Sequence, residues 1–177
     1  MVENKKHFRF PLDLGFSDVS LYVFTSLMVL GNIIFPWLVH TIPQGGLKFL
    51  PIYFFVLIAS YKFGLKAGLM TATISPLANT FLTGMPPAQM LPIILVKGVL
   101  LAIFAYMLSY GTRKLSIANL VLTVLLYQAA GILFETAFYG SFLKALSDFT
   151  IGWPGLLIQV FGGYLVLWLL GGYSPKK

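Results

Sequence analysis

Lys97 and Glu135 are the two side chains with the most chemical consequence in this chain, because each stands inside a long apolar run. A charge in such a run is costly unless it faces a protein cavity or an opposite charge. Four amides, Asn32, Asn79, Gln128 and Gln159, lie in apolar runs of the same kind. A cation, an anion and amides are the chemistry of recognition, by charge-assisted and neutral hydrogen bonds to a small polar molecule. On a helix Gln128, Gly131, Glu135 and Tyr139 share one face. Gly155, Gln159 and Gly163 share another, and Met90, Ile93, Lys97 and Leu101 a third. The simplest arrangement turns these faces into one pocket rimmed by Tyr139 and Trp153. The same residues also carry a structural reading. Amides join helices, Lys97 and Glu135 form an ion pair, and Tyr139 and Trp153 anchor the chain at an interface.

Catalysis needs a nucleophile with a base, paired carboxylates or metal ligands. The chain has no Gly-x-Ser-x-Gly, no cysteine, and only His7 and His40, which fall in separate polar segments. It has no Gly-x-x-x-x-Gly-Lys-[Ser/Thr] loop for a nucleotide. No enzyme activity, cofactor or metal is expected from these residues. The net charge of +7 is scattered between apolar runs, so no nucleic-acid patch is expected.

The elements that must position the polar groups are membrane spans. Of 177 residues 58% are hydrophobic and 10% charged, against roughly 45–50% and 25% in soluble domains. Such an excess must face lipid. Residues 19–39, 90–110, 117–139 and 153–170 have the length to cross hydrocarbon as helices. Residues 65–82 are long enough but rich in Thr and Ser, and 46–61 form a short span with Pro51 near its start. A re-entrant segment is the alternative for 46–61. The expectation is an all-α six-helix bundle over 19–171, with tails at 1–18 and 172–177. Residues 7–16 read as a short amphipathic stretch lying on the membrane.

Lysine and arginine set the orientation. Three lie in the N-terminal tail, two in the Tyr61–Lys66 turn, two in the 111–116 loop and two in the C-terminal tail, whereas the opposite loops hold only Lys48 and Lys144. Both termini are therefore expected in the cytoplasm. The Gly- and Pro-rich loops 40–48, 83–89 and 140–152 then face outward. At 1.5 Å per residue the six polar side chains lie about 5–16 Å below the outer helix ends, while the inner half holds only Thr and Ser.

Phe49-Leu50-Pro51-Ile52, the turn Phe63-Gly64-Leu65-Lys66-Ala67-Gly68 and Gly84-Met85-Pro86 resemble the substrate-binding S components of energy-coupling factor (ECF) transporters. Length, span number and basic inner loops agree along nearly the whole chain. The resemblance implies a bacterial or archaeal cytoplasmic-membrane protein that captures a water-soluble vitamin or related small molecule from outside. It implies partners as well, a membrane scaffold subunit and two cytoplasmic ATPases that drive uptake. The family's pocket, built by the last three spans and the outer loops, falls on Lys97, Glu135 and Gln159 here. Its scaffold-facing first span often carries Ala-x-x-x-Ala; the first span here has no alanine, only Thr25, Ser26 and Gly31 as small residues near its middle.

Two other classes share a six-span architecture. A structural membrane protein of the rod-shape-determining type would bind no small molecule. An intramembrane enzyme acting on lipid would need a catalytic constellation. A pocket with one cation, one anion and amides suits a zwitterion, or a heterocycle bearing a carboxylate.

Overall fold

A computed structural model describes residues 10–39 and 41–171, apart from the side chains of Ser147 and Asp148. His7, His40 and the tail segments 1–9 and 172–177 lie outside the described residues. The described chain is helical with no strand. Its helices are α1 (Val19–Val39), α2 (Gly45–Phe49), α3 (Pro51–Ile58), α4 (Leu65–Thr83), α5 (Leu91–Thr112), α6 (Ile117–Tyr139), α7 (Phe142–Ala145), α8 (Ser147–Thr150), α9 (Trp153–Leu157) and α10 (Gly163–Gly171). A π-helical segment, Ala59–Phe63, prolongs α3, and another, Ile158–Gly162, joins α9 to α10.

Five helical passages are long and apolar enough to cross a membrane: Val19–Val39, Gly45–Phe63, Ala88–Thr112, Ile117–Tyr139 and Trp153–Gly171. The chain is a multi-pass membrane protein. The sixth long helix, α4, is less apolar because it carries four threonines, Ser75, Asn79 and Pro76. The Gly45–Phe63 passage is longer than its apolar run suggested. Leu50 adopts a left-handed conformation (φ 45°) between α2 and α3, consistent with the residue before a proline being barred from the right-handed helix. Pro51 then starts α3, where its missing N–H costs nothing.

α3 is the axis of the bundle. It touches α1, α4, α5 and α10, and Tyr53, Phe54, Val56, Leu57 and Ile58 are all buried. A helix that is apolar all round is stable only when enclosed in this way. α1, α4, α5 and α6 pack consecutively around it, and the last passage closes the ring between α6 and α3. The outer faces expose Leu27, Leu30 and Ile34 on α1, and Leu165, Trp168 and Leu169 on α10, as lipid requires. Gly31 does not belong to that exterior. A methyl group there would meet the Phe55 ring at 2.7 Å, so Gly31 serves α1–α3 packing, while Ser26 faces outward.

The helical path runs through Tyr61 and Lys62 to Phe63, where the sequence suggested a turn; all three are fully buried. Gly64, at φ 107°, then reverses the chain. The carbonyls that end a helix need partners, and here residues 10–14 supply two of them. Leu12 N–H donates to Lys62 O at 2.8 Å and Leu14 N–H to Phe63 O at 3.0 Å. Phe10, fully buried, sets its ring edge-on to Tyr61 and beneath the Lys62 ammonium. The described part of the expected amphipathic stretch is thus a non-helical strap across one end of the bundle. Tyr61 is fixed there too, its hydroxyl donating to Lys114 O and accepting from Asn119 Nδ2, its carbonyl accepting from Ser109.

Candidate ligand-binding site

At the end of the bundle opposite the strap lies a cavity of about 340 Å³. Its walls are Pro36 of α1, Gly46, Leu47 and Leu50 to Tyr53 through α2 and the start of α3, Asn79 of α4, Met85 to Pro87 and Met90 of the α4–α5 connection, Ile93 and Ile94 of α5, and Glu135 and Tyr139 of α6. The volume is within the roughly 300–1,000 Å³ of small-molecule sites, which are apolar with a few placed polar groups. A smaller void of about 190 Å³ adjoins it behind Pro36, Asn79 and Met85.

Glu135 is the charged group in the wall, and Lys97 holds it from behind. Nζ of Lys97 lies 3.1 Å from Glu135 Oε1; the lysine side chain is fully buried, whereas the glutamate side chain retains 8% exposure. Gly131, one turn below Glu135, makes the contact possible: a methyl group there would lie 2.8 Å from Lys97 Cε. The aliphatic stem of Lys97 therefore lies across a bare strip of α6 and delivers its ammonium to the carboxylate. The shared face of Gln128, Gly131, Glu135 and Tyr139 is used in full, but by a neighbouring helix as much as by the cavity.

Asn79 reaches the cavity through a different necessity. Pro36 has no N–H, so the Asn32 carbonyl one turn earlier loses its helical partner. Asn79 Nδ2 donates to that carbonyl at 2.7 Å, and Asn32 Nδ2 donates to Ser75 Oγ at 3.2 Å. Replacing Asn79 by leucine is expected to destabilise the fold by about 1–3 kcal/mol, the cost of a buried acceptor left unpaired. Restoring an N–H with Pro36→Ala should shrink that loss, which denaturant unfolding of the two single variants and the double variant would measure.

Of the side chains expected in the pocket, Asn79, Glu135 and Tyr139 line it. Lys97, Asn32, Gln128 and Gln159 are buried behind the wall, each fully enclosed. Gln128 Nε2 donates to the Tyr127 hydroxyl, which donates to Gln159 Oε1 at 2.9 Å, so these amides tie α6 to the last passage. Trp153 is 57% exposed at the start of α9 and does not line the cavity. Gly155 and Gly163 do admit close approach, but of the chain itself, against Phe49 and Leu57.

The largest difference from the sequence reading is in the walls: α1, α2, α3 and the Leu50 between them supply nearly half of them, and the last passage supplies none. The clusters of Gly and Pro at 43–46, 51 and 84–87 were the available signal, since they bring backbone to the cavity instead of long side chains. Comparisons with protein-family models, curated proteins and solved structures find no match to this chain.

Proposed function

We propose that this chain is the membrane-embedded substrate-binding subunit of an ECF-type transporter, capturing a water-soluble vitamin or related small molecule from outside. Uptake would be driven by partner subunits, a membrane scaffold and two cytoplasmic ATPases. The observation that carries the reading is the cavity at one end of the bundle with the carboxylate of Glu135 in its wall. A purely structural bundle has no use for a hollow of that size beside a charged group. In this reading α4 is a sixth span: its 19 residues make about 28 Å of helix, and Ile74, Leu77 and Phe81 face outward. The cavity end faces outside, and the strap end, with the basic loops, faces the cytoplasm of a bacterium or archaeon. The scaffold would be met by exposed faces of the early spans, around Ser26.

Two measurements test this. The chain has no cysteine, so single cysteines report without background. Cysteine at Gln44 or Met85 is expected to react with an impermeant thiol reagent in intact cells, and cysteine at Ser116 to stay unlabelled; the reverse pattern overturns the orientation. Purified protein screened against vitamins and their precursors by melting shift and native mass spectrometry is expected to yield a one-to-one complex. Met90→Trp, which places a large ring at the cavity wall, should abolish it. A screen in which no compound binds removes the transport reading.

A further inference from the structure

The charge in the cavity wall is negative, and its side-chain donors, Tyr53, Asn79 and Tyr139, are all neutral. Its charged group is a carboxylate, which when ionised only accepts. The nearest cation, Lys97, is fully buried and is not part of the wall. Asn79 adds a second acceptor. Only an amide nitrogen can bond a carbonyl, so the contact to Asn32 O fixes the orientation of the Asn79 amide. One hydrogen of Nδ2 is engaged with α1, and the carbonyl oxygen adds an acceptor. Four backbone positions of the wall have the same bias. Pro36, Pro51, Pro86 and Pro87 all line it, and proline has no N–H to give. The rest of the lining is mainly apolar, with Met85, Met90, Ile93 and Ile94 opposite the α2–α3 junction.

Resting on the reading of this cavity as a capture site, we propose that its ligand is an N–H-rich molecule, a compact apolar or aromatic body carrying an ammonium, amidinium or amino-heterocyclic group. The N–H donors meet Glu135 and Asn79 while the body fills the apolar part. A ligand whose main polar group is a carboxylate or phosphate would meet only neutral side-chain donors, such as the Tyr53 and Tyr139 hydroxyls, and would be repelled by Glu135. The zwitterion with its anionic end on Lys97, suggested by composition alone, is thereby replaced. Lys97 has a different part: it shares the carboxylate with the ligand and tempers the affinity for cations.

Benzamidine and benzoate are matched in size and opposite in charge and hydrogen-bonding sense, which makes them the probes for purified full-length protein in detergent. Benzamidine is expected to bind saturably and benzoate at least tenfold more weakly. In the variant carrying both Lys97→Met and Glu135→Gln, which has no unpaired charge, benzamidine affinity should fall roughly ten- to 150-fold, the worth of a charge-assisted hydrogen bond. Lys97→Met alone should bind benzamidine more tightly than the unaltered protein, since the carboxylate is no longer shared. Benzoate binding as well as benzamidine, or benzamidine affinity unchanged in the double variant, overturns the proposal. If benzoate is the tighter ligand and Met90→Trp removes it, the capture site stands and the acceptor assignment falls. If neither probe nor any vitamin binds, both fall.

Discussion

Glu135→Gln is expected to lower the unfolding free energy by about 3–5 kcal/mol, the typical cost of removing one partner from a buried ion pair. The reason is the position of what remains. Lys97 is fully buried, its stem lies against Gly131, and it is not part of the cavity wall. Lys97→Met is expected to cost less, about 1–3 kcal/mol, because the carboxylate it leaves behind lines the cavity and can be hydrated there. The double variant replaces the pair by groups of similar volume without charge, and such replacements are often neutral or stabilising. It should therefore be more stable than Glu135→Gln alone. Equilibrium unfolding of the four proteins in mixed detergent micelles gives the coupling energy directly. Equal costs for the two single changes would show that Glu135 is as sealed as Lys97, and so contradict its place in the cavity wall.

Gly155→Ala should have the other large effect. A methyl group at Gly155 would lie 2.5 Å from both the carbonyl carbon and oxygen of Phe49 and 3.0 Å from the nitrogen of Leu50. Those are backbone atoms, so no rotamer change relieves the contact. Either α9 withdraws or the α2–α3 junction shifts, at about 1–3 kcal/mol for an overpacked position. The junction carries Leu47, Leu50 and Pro51 of the cavity wall, so ligand affinity should fall together with stability. Gly111→Ala is the control. It lies in α5 with nothing near an added methyl group, and there alanine should stabilise the helix by up to about 1 kcal/mol. A Gly155→Ala protein that melts and binds like the unaltered one would mean that α9 does not rest on the α2–α3 backbone.

What could be read in the sequence was the cost of polarity in an apolar run. Lys97 and Glu135 were legible as partners because lipid tolerates neither alone, and the face shared by Gln128, Gly131, Glu135 and Tyr139 follows from helical spacing. Which neighbour that face meets did not follow, because the rotation of one helix against another is set by packing across the bundle. Gly131 accommodating Lys97, and Gly155 accommodating Phe49, are facts about pairs of helices. Lys62 was misplaced for a related reason. A lysine two residues before a glycine at the end of an apolar run resembles a solvated loop residue, yet the aromatic neighbours Tyr61 and Phe63 carry the helix one step further and the strap covers it. Asn119 belongs with these. It lies near the start of α6, in the half expected to hold only Thr and Ser, and its role appears only when Tyr61 and Lys114 meet it. The longest of the helical runs was recognisable throughout; α4, with its hydroxyls and Asn79, shows polarity placed where α1 and α5 cover it.

The strap has a consequence for biogenesis. Residues 10–14 are synthesised before any helix of the bundle, but the carbonyls they bind belong to Lys62 and Phe63, at the end of the second apolar passage. That segment must therefore wait, without these two hydrogen-bond partners, until α1 and α3 have both been made and brought side by side. Its closure ties residues 10–14 to the end of that helical hairpin. Neither passage can then invert without first releasing Phe10 from its buried place, so the strap acts as a latch on topology once the hairpin is in place.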